Sequence, residues 1–316
     1  MGRLASAFRE RVGSMKDSRM KNETERDIAY PTGFLGFDFL NGTVIHVKSD
    51  TMDFTYNSVG IVDGSMVTVI GRSGCGKTTF IMQSAAEIIR PFPTSCIYHD
   101  DIEGGIVESR KRLLMRMGNE EMEDKYIARN SGVTAENFYQ RIKMIHDLKL
   151  EDRAEYEYDT GLYDERGNRI YKLEPTVYIL DSLAMLMPEK LTEEEELSGQ
   201  MSTTAAAKTN SAIFRRIIPM LKAANIILFV VNHITESVEI NMFAKKKAQV
   251  AYLKQGESLG GGRVAVYLTN LLIRLDDNAK LKETEGFYIK GSVVEATLVK
   301  SRTSASGRSV NLIFDY

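Results

Sequence analysis

The sequence predicts an α/β fold with a mostly parallel central sheet and helices on both faces. Three observations carry this. Val67-Thr68-Val69-Ile70 is a short β-branched run of the kind that forms a buried strand, and Thr79 to Ile89 behind it reads as a helix closed by Arg90-Pro91. Val177-Tyr178-Ile179-Leu180 and Ile226 to Val231 are strands with almost no polar interruption, which suits the middle of a parallel sheet covered on both sides. A helical stretch from Thr209 to Ala224, with Pro219 late in its course, lies between those two. Strand, helix, strand repeated in this way makes a doubly wound sheet.

The other elements follow along the chain. Residues 1–28 are charged, with few hydrophobics after Phe8, and read as a short N-terminal arm, either a frayed end or a segment that packs on a neighbouring subunit. The core is expected over 29–316. Pro31, Gly33, Gly36 and Asp38 punctuate an apolar stretch that ends in the turn pair Asn41-Gly42. Ile97-Tyr98 marks a strand and Ile106 to Met117 an amphipathic helix. Residues 151–174 are polar and tyrosine-rich, an insertion with a hairpin turn at Arg166-Gly167-Asn168. Residues 235–262 form a long polar loop ending in Gly260-Gly261-Gly262, a length that is usually functional or disordered. Strand-like text returns at Leu271–Leu275, Val293–Val299 and Val310–Phe314.

Composition excludes several classes. With 43% hydrophobic and 27% charged residues, the chain can bury a sizeable core and is not disordered as a whole. A net charge of -2 gives no global positive field, so any nucleic-acid site must be a local basic patch. Cys75 and Cys96 are the only cysteines and lack metal-motif spacing, which suits reduced thiols in a cytoplasmic protein. No apolar run approaches the roughly 18–20 residues of a membrane span, and the N-terminus lacks a signal-peptide core.

Gly71-Arg72-Ser73-Gly74-Cys75-Gly76-Lys77-Thr78 fills every fixed position of the phosphate-binding loop pattern G-x-x-x-x-G-K-[ST], and Thr79 follows it into the helix. Glycines let the backbone turn its N–H groups onto phosphate oxygens, Lys77 adds a point charge, and Thr78 reaches magnesium. ATP and Mg2+ are the expected ligands. Asp181, directly after a buried strand, stands where the second magnesium contact belongs. His99-Asp100-Asp101-Ile102-Glu103 ends another strand and is expected to set three acids beside the same cleft, one of them holding the attacking water. Asn232 and His233 end the strand Ile226–Val231 and are candidates to sense the γ-phosphate.

In order and spacing these motifs resemble the RecA family, most closely the phage UvsX-type recombinases, over most of residues 30–316. The matching text comprises the phosphate loop, Ile179-Leu180-Asp181-Ser182-Leu183, Ile213-Phe214-Arg215-Arg216-Ile217, Val231-Asn232-His233, the glycine triplet and Val299-Lys300-Ser301-Arg302-Thr303. The resemblance implies a RecA-like P-loop ATPase core and a catalytic glutamate in a D-x-E-G text. Here the text is one residue longer, Asp100-Asp101-Ile102-Glu103-Gly104: Glu103 keeps the Glu-Gly pair, whereas a gapless reading selects Asp101. The same resemblance implies that Arg110 stacks on adenine, and that Lys300 and Arg302 reach across a subunit interface to the neighbour's γ-phosphate.

The loops facing the filament axis in RecA-like proteins correspond to 187–203 and 235–259. The second contains Phe243, Lys245, Lys246, Lys247, Tyr252 and Lys254, cations beside aromatics that suit single-stranded DNA. The first carries the acidic run Glu193 to Glu196, which repels phosphate. The resulting expectation is an ATP-dependent recombinase that coats single-stranded DNA as a helical homo-oligomeric filament and pairs it with duplex DNA. A single-stranded DNA-binding protein and a loading mediator are implied as partners. A hexameric RecA-fold motor or helicase shares the same motifs.

Overall fold

Alternation of apolar side chains along the strands sets the two faces of the sheet, and the helices follow from that. The computed structural model describes residues 27–48, 53–163, 168–192, 199–236, 252–260, 264–282 and 288–315. Its main sheet contains β1 (Met66–Gly71), β2 (Ile97–Asp101), β3 (Tyr126–Arg129), β4 (Thr176–Asp181), β5 (Ile226–Glu236), β6 (Leu271–Lys282), β7 (Ile289–Ser301) and β8 (Ser309–Asp315). The order is β8-β7-β6-β1-β5-β4-β2-β3, and the short strand Glu257–Leu259 pairs with the end of β5. Neighbours from β6 through β3 run parallel, while β6–β7 and β7–β8 are antiparallel. The fold is therefore α/β with a mixed sheet.

Odd-numbered residues of the central strands, among them Val67, Val69, Val177, Ile179 and Phe229, pack with Phe80, Ile81, Ala85 and Ile88 of α1 (Lys77–Ile89) and Leu114 of α2 (Glu108–Met115). Even-numbered ones, Tyr178, Leu180, Leu228 and Val230, meet Phe138, Ile142 and Ile145 of α3 (Ala135–Glu151) and Phe214, Ile217 and Leu221 of α4 (Gly199–Ala224). Each such Val, Leu, Ile or Phe side chain stabilises the fold by about 1.5–3 kcal/mol when fully buried, so both helical layers are held to the sheet by period-two patterning. Pro219 sits inside α4.

The elements differ from expectation in extent, and several were not expected at all. The helix expected over Ile106 to Met117 is shorter, and α4 starts ten residues before Thr209. Neither β3 nor α3 was expected. Thr134 caps α3 by accepting from the Asn137 N–H at 3.2 Å, and Phe138, Ile142 and Ile145 share one helical face. The 151–174 segment does contain an antiparallel hairpin, Glu157–Tyr163 with Arg169–Leu173, whose tip lies outside the described residues. Lys172 fastens it to Asp63 at 3.0 Å, and the hydroxyls of Tyr158 and Tyr30 lie 2.9 Å apart. A second hairpin, Thr43–Lys48 with Asp53–Ser58, was not read from the sequence. The N-terminal arm lies outside the described residues up to position 26. Among the described residues no helix is long and apolar enough to cross a membrane.

One buried cation on α3 gives a testable pH dependence. Lys149 Nζ donates to the Glu174 carbonyl at 2.6 Å and to Thr176 Oγ1 at 3.0 Å, and burial pulls its pKa down from 10.5 to about 7. Between those values the unfolded chain binds more protons than the folded one. This residue's contribution to stability therefore rises with pH across that window and carries its full penalty below pH 7. Urea denaturation of wild type and Lys149→Met at pH 7 and pH 9.5 is expected to shift the difference in favour of wild type by about 2–3 kcal/mol. A pH-independent difference would contradict the assignment.

Candidate functional site

The carboxyl ends of the parallel strands meet in one row. His233 of β5 is level with Gly71 of β1, and Asp181 of β4 is level with Asp101 of β2. The chain leaves β1 at Gly71 and enters α1 at Lys77, through Gly74 and Gly76 at φ 75° and 87°. Gly76 has a second constraint, because a Cβ there would lie 2.6 Å from the Phe314 ring. At Gly71 a Cβ would lie 2.6 Å from the Leu275 carbonyl oxygen. A side chain is thereby excluded at Gly71 and Gly76, the two ends of a loop that opens onto α1, whose first N–H groups have no helical carbonyl to bond.

Charged groups converge on this loop. Lys77 Nζ donates to the carbonyls of Gly71 at 3.1 Å and Arg72 at 2.8 Å, and burial lowers its pKa against the opposing pull of Cys75, Asp181 and Glu103. Thr78 Oγ1 donates to Asp181 Oδ2 at 2.9 Å. Burial, aided by the like charges of Glu103 and Asp101, pushes the Asp181 carboxyl up to about 6, with the Thr78 bond opposing. Glu103 Oε1 lies 2.7 Å from His233 Nε2 and accepts from Ser182 Oγ. Burial, followed by the nearby Lys77 charge, holds the His233 imidazolium below its usual pKa.

A cavity of about 310 Å³ is lined by Ser73, Gly74, Gly76, Lys77, Thr78, Thr79, Asp101, Glu103, Arg110, Asp181, His233 and Phe314. A second, of about 480 Å³, shares Thr79, Arg110 and Phe314 with it. Most residues selected from the sequence as nucleotide contacts are thus gathered in one place. Ligand atoms of Glu103, Asp181 and His233 lie within 4.8 Å of one another. Asp181 with the Thr78 hydroxyl offers hard oxygen donors of the kind a magnesium ion takes when it binds one or two carboxylates and keeps several waters, whereas Glu103 is engaged by His233 and Ser182.

Other expectations need correction. Asp100 does not join the cleft, because it points to the opposite face, where it accepts from Arg141 Nη2 at 2.9 Å and the Tyr178 hydroxyl at 2.5 Å. Asp101 borders the cavity, yet its carboxylate is held by Lys111 at 3.4 Å and the Gly104 N–H at 2.9 Å. Arg72 contributes its carbonyl to Lys77, while its guanidinium turns to Glu236 at 3.1 Å and Glu257 at 3.6 Å. Cys75 is buried in the core and does not border the cavity. The Asn232 amide is spent on Gly260, donating to its carbonyl at 2.8 Å, and lies off the cavity.

Lys300 and Arg302 do not border the cavity either. Lys300 is level with Leu272 and hence with Thr68, three residues short of Gly71, and its Nζ donates to the Tyr267 carbonyl at 2.8 Å. Among the described residues neither cation has a carboxylate within ion-pair distance. Tyr252 is buried with Ile70, Ile234, Val266 and Leu272, so its ring is not an exposed stacking surface. Lys254 is exposed and 3.3 Å from Asp276. Phe243, Lys245, Lys246 and Lys247 lie outside the described residues.

Among the residues at the site that were missed, three bear on its chemistry or shape. Ser182 orients Glu103, Lys111 holds Asp101, and Phe314 walls both cavities from the far end of the chain. Ser182 was legible as the polar neighbour of Asp181; no local signal marks the other two. Compared with protein-family models and with curated proteins, the chain matches none.

Proposed function

We propose that this chain is an ATP-dependent DNA recombinase with a RecA-like P-loop ATPase core, which forms filaments on single-stranded DNA and promotes homologous pairing and strand exchange. One observation carries the ATPase part: Lys77, the Thr78–Asp181 pair and the Glu103–His233 pair surround a single cavity at the mouth of the glycine loop. Thr78 and Asp181 are the residues to hold magnesium, which when bound neutralises charge on the β- and γ-phosphates. Glycine-loop N–H groups and Lys77 bind the phosphates, and Arg110 covers the base. Glu103, oriented by Ser182 and His233, takes the proton of the attacking water as its oxygen bonds to the γ-phosphorus and ADP departs. Glu103 is preferred to Asp101 because the latter is already engaged by Lys111.

The recombinase part rests on the order of RecA-like motifs and on two features that fit it. The 235–262 loop rises from an antiparallel stem beside the nucleotide loop, and Lys300 with Arg302 lies off its own cavity, as residues acting on a neighbour must. ATP then favours the DNA-gripping assembly and hydrolysis releases it. The same displaced cations also suit a closed ring, so a hexameric motor is the second reading. Magnesium-dependent ATP turnover with and without single-stranded DNA tests the proposal, and stimulation by DNA is expected. Neutralising Lys245, Lys246 and Lys247 together is expected to weaken single-strand binding and flatten its salt dependence. Turnover indifferent to DNA, with unchanged affinity in the triple variant, would overturn the DNA assignment.

A further inference from the structure

Arg72 occupies one of the variable positions of the glycine loop, yet its two ends bind different parts of the molecule. Its carbonyl accepts Lys77 Nζ at 2.8 Å. Its guanidinium reaches Glu236 at 3.1 Å and Glu257 at 3.6 Å. Those two carboxylates face each other across the stem from which the 237–256 excursion leaves the sheet, since Glu236 pairs with Glu257, Thr235 with Ser258 and Ile234 with Leu259.

The stem is firm at one point and loose at the other. The Glu257 side chain, 2% exposed, is gripped by Arg274 through bonds of 2.7 and 3.0 Å, and Arg274 also holds Asp276 through bonds of 2.8 and 2.9 Å. Glu236 is 75% exposed and Arg72 57%, so their contact is a solvated ion pair that forms and breaks at little cost. A firm anchor beside a breakable link is an arrangement through which order in one segment reaches another.

We infer that Arg72 is a positioning residue that fastens the stem of the 237–256 excursion to the nucleotide loop, so that the state of Lys77 and the order of the stem are linked. The inference rests on the nucleotide-site reading above. When phosphate draws Lys77 away from the Arg72 carbonyl and the loop becomes ordered, the guanidinium passes that order to Glu236 and Glu257. By linkage, whatever orders the stem then shifts nucleotide affinity by the same factor.

Amide hydrogen exchange on the full chain, with and without magnesium and a slowly hydrolysed ATP analogue, tests this. In wild type, exchange is expected to slow both in the loop 71–78 and in the stem amides 234–236 and 257–259, the latter by at least about fivefold, the low end of ordinary coupling. In Glu236→Lys the loop should still slow while the stem response falls well below that fivefold level. Arg72→Ala must lose the stem response as well, and Arg72→Lys, which keeps a cation facing both carboxylates, must retain part of it. A loop that slows while the stem stays silent, or a stem response equal in all variants, overturns the link and leaves the nucleotide site standing. No slowing anywhere in wild type overturns both.

Discussion

Glu103→Gln is expected to lower the ATP hydrolysis rate by about two to four orders of magnitude, the usual worth of a general base. Nucleotide binding should be retained, because Glu103 touches His233 and Ser182 rather than the glycine loop. The neighbouring Asp101→Asn is expected to behave differently. Asp101 and Lys111 are both nearly buried, so removing the carboxylate strands a cation and costs about 3 kcal/mol of stability. Hydrolysis per folded molecule should fall by no more than about tenfold, well short of the loss of a base. Single-turnover hydrolysis alongside urea denaturation separates the two effects. The reverse order, a severe rate loss in Asp101→Asn and a mild one in Glu103→Gln, would move the base to Asp101.

Lys77→Ala is expected to abolish measurable turnover, by about 10³-fold or more, with little change in stability. The ammonium is buried against two carbonyls, and burial already lowers its pKa, so the charge stabilises the fold only weakly. Losing two hydrogen bonds costs about 1–3 kcal/mol, and relief of the desolvated charge offsets most of it. Under the proposed function its worth lies in countering charge on the terminal phosphate as the phosphoryl group is transferred. Normal turnover in this variant would remove the nucleotide from this loop altogether.

What the sequence disclosed depended on how local each signal was. β1, β4 and β5 were legible because apolar runs such as Val177 to Leu180 need cover on both faces, and the glycine loop because its chemistry tolerates few substitutes. β3 escaped because Tyr-Ile-Ala-Arg is short and exposed at three of its four positions. α3 was legible and overlooked: Thr134 followed by Phe138, Ile142 and Ile145 is a cap and a stripe. Asp100 and Asp101 could have been separated in advance, since consecutive strand residues point to opposite faces. The burial of Tyr252, the turn of Arg72 toward Glu236, and the closure of the site by Phe314 depend on contacts between distant segments, which no local pattern encodes. The position of Lys300 level with Thr68 depends likewise on sheet order.

The proposed function requires assembly on DNA under the control of ATP. Electron microscopy of the protein with long single-stranded DNA, magnesium and a slowly hydrolysed ATP analogue tests it most directly. Extended helical filaments that disappear when the nucleotide is withheld are the predicted result, and they would give Lys300 and Arg302 a neighbouring cavity to act upon. Closed six-membered rings, or isolated particles with no DNA bound, would contradict it.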